Sequence, residues 1–305
     1  MNQYVIALGM FDGVHLGHQE LLNKTSQIAR SNGDTSVVFT YRNHPRELFN
    51  GSFDYLTPLN QRVSLYRAIG IDRVDAVDFT QEFADQDPEA FLKWLSDRYD
   101  HKIGCIVCGY DYRFGKHADG DQFTLQHIGS KIGFMSLIVP PVNYLGQPCS
   151  STRVRNALKA GEIETANEML NRPYVICGTV IHNKAIGRKI GFPTANIHSG
   201  HQLLPADGVY ATALKTGDSI YASVTNIGAN PTVGGEFRTI ETHVPDMEFN
   251  LYGQEVSVAI LKKIRNEVRF SGIDQLSEQI SKDVEEAKKV YKENEKSVYK
   301  LRNLW

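Results

Sequence analysis

The sequence predicts two domains of different class: an N-terminal α/β domain on a parallel sheet, then a C-terminal antiparallel β-barrel with a terminal helix. Three observations carry this. Short apolar runs alternate with amphipathic stretches through the first half of the chain. After Pro173 closely spaced strand-like runs follow one another with no long helix between them. The charged stretch from 273 to about 297 then places Leu276, Ile280, Val284, Ala287 and Val290 at helical spacing.

In the first half, 5–8, 36–40, 73–79, 104–108 and 134–139 read as buried strands, and 19–31, 60–69, 88–99 and 124–132 as helices. Ligands of such sheets bind beyond the carboxyl ends of the strands. The segments 9–18, 43–45 and 109–115 each follow a strand, so they are expected to meet at one edge. Ser150-Ser-Thr-Arg-Val-Arg155 opens a helix to about 161, and a further helix runs over 163–170. Pro173 ends the helical pattern, which places the expected boundary between domains 1–172 and 173–305. Beyond it, 174–181, 208–214, 220–225, 238–244 and 255–261 are the barrel strands.

The 305 residues are 41% hydrophobic and 22% charged, as in soluble globular proteins. A net charge of −2 supplies no general attraction for nucleic acid or an anionic membrane, so neither is an expected partner. With no signal peptide or membrane-length apolar run visible, the expected compartment is the cytoplasm. Cys105 and Cys108 form a CxxC, but in a strand the two point to opposite faces, and no second CxxC completes a zinc site. Core packing is the expected role of both.

The segment Gly9-Met-Phe-Asp-Gly-Val-His-Leu-Gly-His18 joins the first strand to the first helix. Helix N-termini present N–H groups and partial positive charge to phosphate. Gly17 leaves room for a phosphate to approach the backbone, and His15 and His18 bring imidazole donors to it. Ser150 or Ser151 supplies a hydroxyl or a helix cap, and Arg153 and Arg155 are placed to neutralise phosphate charge. An HxGH alone is weak evidence. Joined to SSTRVR at the end of a five-strand α/β unit, it points to nucleotidyl transfer, in which positioned donors stabilise the leaving pyrophosphate. Asp12 reads either as a turn residue or as an indirect magnesium contact.

A second motif, Gly187-Arg-Lys-Ile-Gly-Phe-Pro-Thr-Ala-Asn196, is unlike the first. Gly187 and Gly191 suit a loop that hugs phosphate. Thr194 and Asn196 alternate, so on an extended segment they share a face and offer hard oxygen ligands for Mg²⁺. Alone, the segment reads equally as a Gly-Pro turn with a polar rim. Glu241, in a strand-like stretch, adds a carboxylate able to accept the proton of a hydroxyl that attacks the γ-phosphate of ATP.

These strings resemble a known family. HxGH with SSTRVR is similar to the Rossmann-like nucleotidyltransferases. GMFDGVHLGH, Phe39-Thr-Tyr-Arg-Asn-His-Pro45 and Gly109-Tyr-Asp-Tyr-Arg-Phe-Gly115 resemble the FMN adenylyltransferase module of the prokaryotic bifunctional riboflavin kinase/FAD synthetases. GRKIGFPTAN, Asn226-Ile-Gly-Ala-Asn-Pro-Thr232, Glu-Thr-His at 241–243 and Leu251-Tyr-Gly253 resemble its kinase module, in the family's order. The resemblance covers nearly the whole chain. It implies phosphorylation of riboflavin to FMN and adenylylation of FMN to FAD, each with Mg²⁺ and ATP. It assigns Gly9, Phe11, His15, Gly17, His18, Ser151 and Arg155 to ATP in the first module, with Asp111 and Phe114 beside the flavin. In the second it assigns Gly187, Gly191, Thr194 and Asn196 to Mg·ATP, Glu241 to general base and Arg265 to the flavin end. The chain has Asn183 where family members often have Gly, and Asn250 where they often have Asp. Two other readings share these residues: one activity alone, or a flavin-binding regulator with decayed catalysis.

Overall fold

Five short apolar runs become a five-stranded sheet: β1 (Tyr4–Leu8), β2 (Thr35–Tyr41), β3 (Arg73–Val77), β4 (Ile103–Gly109) and β5 (Met135–Val139). The computed structural model describes residues 2–182, 191–229, 238–245, 247 and 251–301. By packing, the chain forms two units, Met1–Ser150 and Ser151–Trp305.

In the first unit the strand order is β3-β2-β1-β4-β5, and every pairing is parallel. The helices are α1 (Leu16–Asn32), α2 (Pro45–Asn50), α3 (Leu59–Ile69), α4 (Gln81–Ala84), α5 (Pro88–Arg98) and α6 (Gln122–Ile132). Ile6, Leu8, Val37, Phe39, Ile106 and Cys108 pack against Phe91, Leu92 and Leu95 of α5, which buries one face of the sheet. Cys105 and Cys108 are both buried in β4, Cys108 within this core. The chain winds outward one way from β1 to β3 and the other way from β4 to β5. The order therefore reverses between β1 and β4, which opens a crevice at their carboxyl ends.

The short helices α2 and α4 are additions to the sequence reading. Six and four residues are too few for a 3.6-residue period to register. Local bonds hold them instead: His44 caps α2 in a capping box with Glu47, and Thr80 caps α4. A two-stranded hairpin, β6 (Asn143–Tyr144) and β7 (Gln147–Pro148), ends the unit.

The second unit opens with α7 (Ser151–Ala160) and α8 (Ile163–Leu170). Pro173 marks where helix gives way to strand, but by packing both helices belong to the same unit as the barrel strands. Asn167 of α8 donates to the Ile260 carbonyl at 2.9 Å and accepts from the Tyr174 amide at 2.7 Å. Six antiparallel strands close a barrel in the order β10-β11-β12-β9-β8-β13. They are β8 (Tyr174–Ile181), β9 (Thr194–His198), β10 (Gly208–Thr216), β11 (Ser219–Ala229), β12 (Arg238–His243) and β13 (Glu255–Arg265). The sequence reading has only five of them. It treats 194–196 as merely extended, because TANIH carries too few apolar residues to stand out as a strand.

The terminal helix α9 (Ile273–Lys300) lays Val284, Ala287 and Val290 over Val209, Ala211, Ala213, Val224, Ala259 and Leu261 on the outside of the barrel. Asp283, 2% exposed on the same helix, receives a fork from Arg265 at the end of β13, with Nη2–Oδ2 at 2.7 Å. Asp283→Ala leaves that guanidinium without its carboxylate. The second unit is expected to lose about 3 kcal/mol, read as a lower urea midpoint at unchanged m.

Candidate active sites

The turn between β1 and α1 builds the first site. Phe11, Gly13 and Val14 hold φ of 51°, 85° and 43°, which is unusual for Phe and more so for a β-branched Val. Two buried groups hold the turn there. The Asp12 carboxylate, 3% exposed, accepts from the amides of Leu56 at 3.2 Å and Thr57 at 3.0 Å, just before α3. The Met10 carbonyl accepts from Arg62 of α3 at 2.5 Å. Of the two readings open for Asp12, the structure favours turn geometry, since both carboxylate oxygens are engaged by backbone.

His15 is the N-cap of α1, with extended backbone, and His18 lies in the helix's first turn. Their rings stack with centroids 3.6 Å apart. The Phe11 ring meets His18 edge-on at 5.3 Å and lies over Gly9, where an added Cβ would come within 2.8 Å of it. At Gly17 an added Cβ would crowd the His15 ring, at 3.2 Å. The helix thus presents its first-turn N–H groups beside two imidazoles, with the glycine leaving that surface low.

The neighbouring strand ends complete the edge. Asn43, after β2, donates to the Phe79 carbonyl and accepts from its amide, at 2.9 and 2.8 Å. The Tyr41 and Tyr112 phenols influence each other from the end of β2 and the turn after β4, the two strands that flank β1. Burial raises both phenols well above their ordinary value, so they stay neutral donors. Asp111 stands on this edge in the turn closed by Tyr112 N–H to the Gly109 carbonyl at 3.1 Å. Phe114 is buried, stacked on Tyr112 and packed against Phe91. Ser151 and Arg155 lie on the first two turns of α7, in the second unit.

The second site is a row across three strands. Cross-strand register sets Asn196 of β9 opposite Glu241 of β12, and Glu241 opposite Asn226 of β11. Thr194 is two residues along β9 from Asn196, on the same face, opposite His243. His243 Nδ1 lies 2.8 Å from the Pro193 carbonyl, and its ring meets Phe192 edge-on. Gly191, ahead of them, has φ of 84°. Gly187, Asn183 and Asn250 lie outside the described residues, as do the last three residues of the 226–232 motif. Burial, and then the charge of Glu267, raise the Glu241 carboxyl above its ordinary value. Asn226 donates to Glu267 at 3.1 Å, which brings the two carboxylates to one place. Sequence reasoning missed Glu267 as a partner: its position becomes visible only when β13 closes the barrel. It also missed Asp283, which engages Arg265.

The chemistry of Thr194 and Asn196 fits Mg²⁺. A hydroxyl and an amide oxygen on one face, beside a carboxylate, form a hard-oxygen set that leaves room for water and phosphate.

Two family models match, riboflavin kinase over residues 170–291 and FAD synthetase over 1–153. Curated relatives match nearly end to end. Proteins named bifunctional riboflavin kinase/FMN adenylyltransferase from Bacillus subtilis and Haemophilus influenzae are 36% and 37% identical. Each alignment covers 93% of this chain, with 91% and 92% of the relative. A solved Streptococcus pneumoniae structure, titled a macrolide-efflux protein, superposes with a TM-score of 0.86 at 30% identity over 94% of both chains. Among the described residues no helix is long and apolar enough to cross a membrane.

Asp12→Ala strips the Leu56 and Thr57 amides of their acceptor. The first unit is expected to lose about 2 kcal/mol or more, with faster hydrogen exchange at those two amides and unchanged exchange across the barrel.

Proposed function

This chain belongs to the family of bifunctional riboflavin kinase/FMN adenylyltransferases, and we propose that its two reactions divide between the two sites just described. It is an enzyme of flavin cofactor biosynthesis, with riboflavin, FMN and FAD as its substrates and products. The observation that carries the division is that the central groups of each constellation lie in a different unit. The stacked imidazoles stand at a helix N-terminus in one unit, and the Asn196–Glu241–Asn226 row stands on a barrel in the other. We take 1–172 as the adenylyltransferase region and 173–305 as the kinase region. The efflux in the S. pneumoniae protein's name has no part in this reading, since both family models and the curated relatives name flavin chemistry.

In the kinase region Glu241 accepts the proton of the ribityl 5′-hydroxyl as its oxygen attacks the γ-phosphorus of ATP. Its raised proton affinity suits that task better than an ordinary carboxylate. Asn196 and Asn226 flank it in register on the neighbouring strands. Thr194 and Asn196 would hold Mg²⁺, which screens the triphosphate charge when bound. Gly187 and Gly191 belong to the loop that takes the ATP phosphates. Arg265, fixed by Asp283, stands toward the flavin end.

In the adenylyltransferase region a phosphate oxygen of FMN attacks the α-phosphorus of ATP, and pyrophosphate leaves. His15 and His18 donate to the phosphate oxygens as charge grows on them, alongside the first-turn amides of α1. Gly9 and Gly17 leave space for ATP, and Phe11 walls it. Asp111 lies at the flavin end, and buried Phe114 sets the shape of the loop there. Among the described residues no disulfide joins the four cysteines, in keeping with a cytoplasmic setting.

Substitutions should separate the steps. His18→Ala is expected to slow FAD formation by about 100-fold or more while FMN accumulates from riboflavin and ATP. Glu241→Gln is expected to slow FMN formation by a similar factor, about 100-fold, while added FMN is still converted to FAD. Chromatography of the flavins reads both, and loss of both steps from either change in folded protein defeats the division.

The pH profile supplies a second test. The base works ionised, so the raised Glu241 carboxyl moves the acid limb of kinase kcat/KM to higher pH than an ordinary glutamate gives. Glu267→Gln removes the like charge, and that limb is expected to move to lower pH. A limb that stays in place in this variant separates Glu267 from the base.

A further inference from the structure

Arg62 heads the largest fully buried side chains, at 0% exposure. Its Nη1 donates to the Met10 carbonyl at 2.5 Å and to the Thr40 hydroxyl at 3.2 Å, and its Nη2 to the Tyr41 carbonyl at 3.3 Å. Its Nε has no hydrogen-bond partner among the described residues. Arg98 and Arg265 each form a fork with an aspartate, Asp75 and Asp283. Arg62 has no such ion pair among the described residues. A guanidinium withdrawn from water costs several kcal/mol when only neutral dipoles receive it. A neutral side chain such as Gln could donate to the same carbonyls at lower cost. The retained charge therefore has a use.

The location of Arg62 shows what that use is. Met10 opens the turn that leads to His15 and His18. Tyr66, one turn beyond Arg62 on α3, interacts with the guanidinium and meets the Phe11 ring edge-on at 6.0 Å. Phe11 in turn touches His18. The cation thus lies behind the phosphate-facing turn, one layer of backbone away. A buried charge is weakly screened, so its field adds to the positive end of α1.

We propose that Arg62 is a positioning residue for the triphosphate of the adenylyl step. It fixes the Met10 carbonyl and so the turn, and it supplies positive potential from beneath without touching phosphate. This rests on the reading of His15 and His18 as the phosphate site. That reading fails separately, if His18→Ala leaves FAD formation intact.

The test uses the full chain, with ATP and FMN as varied substrates of FAD formation. Arg62→Gln is expected to raise the KM for ATP about tenfold, with the KM for FMN changed by less than about twofold and riboflavin phosphorylation unaltered. Arg62→Lys keeps a charge, but a buried ammonium loses its proton far more readily than a guanidinium. Its KM for ATP is therefore expected to lie near wild type at pH about 6.5 and to climb toward the Gln value by about pH 9, relative to wild type at each pH. Tyr55 and Tyr66 face Arg62, and Asp12 on the turn acts on Tyr66. Both phenols are pushed up to about 12, chiefly by burial, so they do not titrate in this window. An ATP KM in Arg62→Gln within about twofold of wild type overturns the proposal. So does an Arg62→Lys profile parallel to wild type at the Gln level. Should Arg62→Gln not fold, the pH profile of Arg62→Lys decides alone.

Discussion

The first site depends on holding the backbone from Phe11 to Val14 where it would not stay unaided. Left-handed angles at Phe11 and Val14 each cost about 1–3 kcal/mol, and such angles persist only where the surroundings over-determine them. Two restraints act from opposite ends of the α3 approach. Asp12 reaches forward to the amides that precede the helix, and Arg62 reaches back from the helix to Met10. The turn is therefore tied to the sheet and to α3 together. With the turn fixed, α1 starts with His15 extended as its cap and with the two imidazoles stacked at its mouth. Preorganisation of this kind is what phosphate chemistry asks of a protein, since donors already in place need no reorganisation as charge moves.

The barrel meets the same need through register. Asn196, Glu241 and Asn226 are neighbours only because β9, β12 and β11 pair as they do, and a slip of one residue would turn Glu241 to the other face. The opposite, inward face carries a chain of buried hydroxyls. Thr212 bonds to Ser223 at 2.7 Å and to Thr225 at 2.8 Å, and Thr225 bonds to Thr242 at 2.9 Å. Each group satisfies the next, so a shifted register would leave several buried hydroxyls unpaired at a cost of about 1–3 kcal/mol each. A polar seam inside the barrel thereby secures the alignment of the polar row outside it.

The architecture was legible where periodicity was strong. The five parallel strands, the long helices and the amphipathic tail each span enough residues for their period to show. The proposed site residues stand out as strings, because glycine, histidine and proline in fixed order carry local geometry. The relations between strings were not. Nothing in the spacing of Arg265 and Asp283 foretells their fork, and nothing in 59–69 marks Arg62 as interior, since arginine in an amphipathic helix normally faces water. β9 escaped notice for a related reason: its partners, not its composition, make it a strand.

The two sites make opposite demands on buried charge. On the proposed division the first would receive triphosphate and phosphate together, so its difficulty would be anion on anion, and imidazoles, helix amides and a buried guanidinium stand there to oppose that charge. On the proposed division the second would take a proton from a hydroxyl of very weak acidity, and there the partly buried carboxylate of Glu241 has its proton affinity raised by burial and then by the charge of Glu267. A field that favoured phosphate at Glu241 would weaken the base, because positive charge lowers a carboxyl's affinity for protons. There the positive charge would be better delivered by a metal, which the neutral oxygens of Thr194 and Asn196 on one side of the row would hold on the proposed reading. With a net charge of only −2, the chain as a whole favours neither demand, and each is met within a few residues of where it arises.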